Sequence, residues 1–97
     1  MYLHLGQDTV VTLDKIIGIF DLDTATVAKA SRDYLTAAEK AGDVINVSYE
    51  LPKSFIVCQD ETRKSGRVVY ISQISCQTLL KRTGFVGNLA NIERNMK

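Results

Sequence analysis

The sequence predicts an α+β domain: about six short strands in a small antiparallel sheet, one amphipathic helix lying on that sheet, and a short helix near the C-terminus. Three observations predict it. Short runs rich in Val, Ile, Tyr and Phe recur between turn-forming residues, as strands do. One stretch, from about Ala25 to Ala41, instead repeats its apolar positions at the helical period. Finally, 97 residues are enough for one hydrophobic core and too few for two, so both kinds of element must share it.

The elements follow in order. Tyr2 to Leu5 alternates and stops at Gly6, "GQD" supplies turn chemistry, and "TVVTL" resumes β-branched residues, which predicts a tight hairpin. Asp14 and Lys15 then interrupt. "IIGIFDLD", from Ile16, is the most apolar run and reads as a buried central strand in which Gly18 admits a close approach. Asp23 or Thr24 can cap the helix, and Gly42 followed by Asp43 can stop it. Winding that segment at about 100° per residue gathers Lys29, Arg32, Asp33, Thr36, Glu39 and Lys40 on one arc, with Val27, Ala30, Tyr34, Ala37, Ala38 and Ala41 opposite. An apolar face this small lets the helix backbone lie close to a sheet, or to its copy in another subunit.

Three more strands are expected in "VINVSY", "SFIVCQ" and "RVVYISQI", joined by "ELPK" and "DETRKSG", both read as hairpin turns. Pro52 has no N–H to give to a ladder, so it belongs at a strand end, where it fixes Lys53 on an exposed rim. Ser75 can cap the short helix "CQTLLKR", whose two terminal bases suit the helix dipole. The domain is expected to span residues 1–85. The tail, residues 86–97, carries Leu89, Ile92 and Met96 at helical spacing, a stripe expected to dock on a neighbouring subunit.

An apolar fraction of 45% and a charged fraction of 24% match an ordinary globular protein. No apolar run is long enough to span a bilayer and no secretory signal opens the chain, so a cytoplasmic location is expected. Cys58 and Cys76, with His4 as the one histidine, lack metal-ligand spacing and read as reduced thiols. Net charge is +1, but residues 1–50 hold four bases against eight acids, and residues 51–97 hold eight against three. Oppositely charged halves suit contact between subunits, or a basic face for nucleic acid diluted in the total.

Catalytic residue types are scarce. Asp21 and Asp23 alternate and can chelate a cation, although capping and strand-ending roles explain them equally well; His4 reads as a strand-face residue. Gly84 and Gly87 do not make a phosphate-binding loop. No enzyme activity and no cofactor are expected. Five bases fall on predicted turns: Lys15, Lys53, Arg63, Lys64 and Arg67. Gathered on one rim, they would contact the phosphates of double-stranded DNA. The absence of aromatics among them argues against single-strand stacking.

"MYLHLGQDTVV", "DKIIGIFD", "YELPKSFIV" and "VVYISQISCQTLLKRTGF" occur in this order along residues 1–85. In these segments the sequence resembles the bacterial extracellular matrix and biofilm regulators RemA and RemB, and is most similar to the RemB branch. The resemblance implies a LytTR-like fold, a ring of identical subunits, and activation of matrix-gene transcription through DNA binding. It implies a DNA contact at Lys15. Where the RemA side carries an arginine pair in a turn, this chain has Leu51 and Pro52, with Lys53 next. The function expected is a DNA-binding transcriptional regulator acting as a homo-oligomer. The alternative is an assembly or adaptor protein that keeps the oligomeric fold without DNA.

Overall fold

The computed structural model describes residues 1–22 and 29–83. Strand β1 (Tyr2–Gly6) turns at Gln7 and Asp8 into β2 (Thr9–Thr12), pairing Tyr2 with Thr12 and Gly6 with Thr9. The turn requires φ of 118° at Gly6, a value that glycine adopts without steric cost. A 3₁₀ turn at Leu13–Lys15 leads into β3 (Ile16–Asp21). Helix α1 (Lys29–Lys40), β4 (Val44–Asn46), β5 (Ser54–Gln59), β6 (Arg67–Ser72) and α2 (Cys76–Thr83) follow. The hairpin forms a two-stranded sheet, and the other four strands form a second sheet in the order β3-β5-β6-β4.

The α+β class, the six strands and both helices agree with the sequence, but three expectations need correction. The apolar run at β3 lies at the edge of its sheet, and the central strands are β5 and β6. Its apolarity has another cause: Ile16 and Ile19 pack on one core, while Ile17 and Phe20, on the other face, remain exposed. The sheet is also not wholly antiparallel, because β4 runs parallel to β6. Consequently "ELPK" is no hairpin turn. It carries the chain across the end of β6, where the N–H groups of Val47 and Lys53 donate to the carbonyls of Ile71 and Ser72.

Three layers result. On one face of the four-stranded sheet, Ile56, Cys58 and Val68 meet Leu3, Leu5 and Val11 of the hairpin and Leu79 of α2. On the other, Phe55, Val57 and Val69 meet Tyr34, Leu35 and Ala38 of α1. That helix ends as its sequence foretells: Gly42 takes φ 77°, its N–H donates to the Glu39 carbonyl, and the Asp43 N–H donates to the Ala38 carbonyl. Its seat is shallower than expected. Leu35 joins Tyr34 and Ala38 on the sheet, whereas Ala30, Ala37 and Ala41 stay exposed. Residues 23–28, which include the expected cap and Val27, lie outside the described residues, as does the tail with Leu89, Ile92 and Met96.

Two buried serines, opposite one another on β5 and β6, join the layers. The Ser72 hydroxyl donates to the Leu5 carbonyl at 2.6 Å, and the Ser54 hydroxyl donates to the Ile74 carbonyl at 2.7 Å. Helix α2 is capped by Ser75, whose Oγ accepts from the Thr78 N–H at 3.2 Å, as its sequence predicts.

Candidate nucleic-acid interface

Strand β5 separates the five bases that the sequence singles out. Lys15 precedes Ile16, which pairs with Cys58, and Arg67 pairs with Gln59, so Lys15, Arg67 and the 60–66 turn with Arg63 and Lys64 share one end of the sheet. Lys53 precedes Ser54, at the opposite end. Six residues of extended strand put roughly 20 Å between the two groups. One rim therefore cannot hold all five in a single chain.

Within the larger group the bases differ. Arg63 donates from Nε to Asp60 at 3.0 Å, and from Nη1 to the Gly42 carbonyl at 3.0 Å and to Asp43 at 3.4 Å. Ser65 donates to the other oxygen of Asp43 at 2.7 Å. Together these bonds tie the β5–β6 turn to the α1–β4 turn. The Asp60 carboxyl accepts from the hydroxyl and N–H of Thr62, which with Arg63 hold it below the usual carboxylate range. Asp60 and then Asp43 stabilise the Arg63 guanidinium in its charged form. Arg63 is thus engaged in holding two turns together. The Asp60 to Arg63 spacing was visible in the sequence; the approach of Asp43, 20 residues upstream of Arg63, was not.

Lys15, Lys53, Lys64 and Arg67 are exposed, and the ion pairs found among the described residues involve none of them. The Lys53 backbone is held on both sides, its N–H by the Ser72 carbonyl and its carbonyl by the Leu22 N–H, each at 2.9 Å. The preceding loop is mostly apolar: Tyr49 and Leu51 are 104% and 79% exposed. Arg67 borders a groove of about 270 Å³ between α1 and the sheet, lined by Ile17, Phe20, Ala30, Tyr34 and Phe55. The Phe20 and Phe55 rings stack there at 4.9 Å. Gly18 makes this possible, since a Cβ at that position would stand 2.7 Å from the Phe20 ring.

Among the described residues, those with possible chemistry do not converge. Asp21 lies on β3 opposite Ser54, His4 lies on the hairpin with its Nε2 bonded to the Gln7 carbonyl at 2.6 Å, and Asp23 lies outside the described residues. Burial pushes the Cys58 thiol up to about 11, and burial with the nearby Asp21 charge raises Cys76, so both stay protonated and weakly nucleophilic at neutral pH. Among the described residues no helix is long and apolar enough to cross a membrane.

Comparisons with known proteins bear on this arrangement. The family whose model matches is described as RemA-like, Extracellular matrix regulatory protein A-like, and the match covers residues 2–83. Extracellular matrix regulatory protein B of Bacillus subtilis (strain 168) is 33% identical over 86 residues, which cover 89% of this chain and 94% of that protein.

Proposed function

Because this chain belongs to the RemA-like family of extracellular matrix regulatory proteins, we propose that it is a cytoplasmic DNA-binding regulator of matrix-gene transcription acting as a homo-oligomer. The observation that carries this reading is the set of exposed bases, Lys15, Lys64 and Arg67 at one end of the sheet and Lys53 at the other, without acidic partners among the described residues. One chain offers few phosphate contacts. Repeating them in an oligomer raises apparent affinity by about 10²- to 10⁴-fold without any new contact. Arg63, tied to two carboxylates, contributes to DNA through the shape of its turn rather than by direct contact.

The test is the salt dependence of binding to a mixed-sequence duplex, with particle mass measured in the same buffer. Affinity should fall steeply with salt, by about 0.9 in the logarithmic slope for each phosphate engaged. Charge reversal at Lys15 with Lys64, and separately at Lys53, then shows which end meets DNA. Unchanged binding by both variants would end the assignment of these residues.

A second reading has its own observation. The loop with Tyr49, Glu50, Leu51 and Pro52 exposes two large apolar side chains and an acid where a phosphate-binding turn would carry bases. That favours a protein contact there, and an assembly or adaptor role if no duplex binds at low salt.

A further inference from the structure

The sheet face beneath α1 is incompletely closed. No side chain of α1 is fully buried, and the groove beside Tyr34 leaves Ile17 54% and Phe20 42% exposed. An apolar groove of this kind, with Arg67 at its rim, marks a site where another surface docks. Its complement occurs elsewhere on the same chain. Tyr49 and Leu51 project from a loop that Pro52 stiffens and that the bonds around Lys53 anchor, with the acid Glu50 between them. Glu50 and Arg67 are both exposed and take part in none of the ion pairs among the described residues. The loop offers two apolar side chains with Glu50 between them, and the groove offers an apolar lining with Arg67 at its rim. Among the described residues both stand open, so the loop does not fill the groove of its own molecule.

We propose that the 49–51 loop of one copy seats in the Ile17–Phe20–Tyr34 groove of a second copy, with Glu50 facing Arg67. The inference rests on the homo-oligomer reading and names the surfaces that make it. Tyr and Arg are among the side chains that most often carry interface energy, and Phe is enriched at interfaces. The contact is heterologous, because each copy offers one loop and one groove. Association therefore repeats from copy to copy and ends only where a ring closes. Arg67 is then committed to the subunit contact, which leaves Lys15, Lys53 and Lys64 to phosphate.

The test is particle mass by analytical ultracentrifugation of the full chain, with thermal unfolding showing that each variant is folded. Leu51→Lys in the loop, Ala30→Arg in the groove, and Glu50→Arg and Arg67→Glu at the charges should each reduce the particle to the 10.8 kDa chain. Glu50→Arg combined with Arg67→Glu in one chain should restore the larger mass. An equal mixture of Leu51→Lys and Ala30→Arg chains should form a two-chain particle and nothing larger, since only one intact loop can meet one intact groove. Four variants that keep the native mass, or a native protein that is already a single chain, would overturn the proposal. So would loss of the oligomer on deleting residues 86–97 while the loop and groove variants keep it, because the tail would then be the occupant. Duplex binding is read separately: a native oligomer that responds to the loop and groove variants and binds no DNA supports this contact while ending the DNA reading.

Discussion

Replacing Ser72 with alanine probes how the hairpin layer is held on the main sheet. Ser72 is 1% exposed; its hydroxyl donates to the Leu5 carbonyl at 2.6 Å and accepts from the Ile74 N–H at 3.0 Å. Alanine leaves both backbone groups without that partner. A buried polar group left unsatisfied costs about 1–3 kcal/mol, so removing two bonds at once should cost about 2–4 kcal/mol. That is a large part of the 5–15 kcal/mol typical of a folded domain. For a chain of this size it corresponds to a fall in Tm of roughly 10–25 °C. Urea unfolding followed by far-UV circular dichroism measures it, and an unchanged m-value shows that the loss lies in stability rather than in compactness. A loss below about 0.5 kcal/mol would refute the claim that this hydroxyl joins the two sheets.

Other outcomes follow from the same geometry. Arg63→Ala should lower Tm while leaving the salt slope of DNA binding unchanged, and Lys64→Ala should do the reverse; calorimetry and fluorescence anisotropy together separate them. Asp60 titrates in the folded chain below its ordinary value of 3.8, so the stability it confers is present above that value and lost as pH falls through the folded one; Asp60→Asn should therefore flatten the acid-unfolding curve below pH 3.8. Cys58 is raised from 9.0 to about 11, so its contribution is present below 9.0 and fades as pH rises toward 11; iodoacetamide at pH 8 should label it only when the protein unfolds. Gly18→Ala should push the Phe20 ring off Phe55, costing about 1 kcal/mol by urea unfolding for the lost aromatic pair.

Features set by neighbouring residues were legible in the chain. The hairpin turn at Gly6, the stop at Gly42, the cap at Ser75 and the strand end at Pro52 each depend on one residue and those beside it, and each lies where the sequence places it. Apolarity alone could not tell an edge strand from a central one. An edge strand with a core on one face and a groove on the other is apolar throughout, so β3 carries the same pattern as a buried central strand.

The candidate interface divides in the same way. Which residues are basic, and that Lys15, Lys53, Arg63 and Lys64 lie off the strands, followed from the chain, whereas Arg67 opens β6 rather than lying in the turn before it. That Arg63 is consumed by Asp60 and Asp43, that Lys53 stands a strand's length from Lys15, and that Arg67 borders an apolar groove depended on how distant segments meet. Local hydrogen bonds and backbone angles are settled within a few residues, so composition and spacing foretell them. Strand order, ion pairing across 20 residues and the exposure of Tyr49, Leu51, Ile17 and Phe20 come from packing three layers together, where the energy of each residue depends on partners remote in the chain.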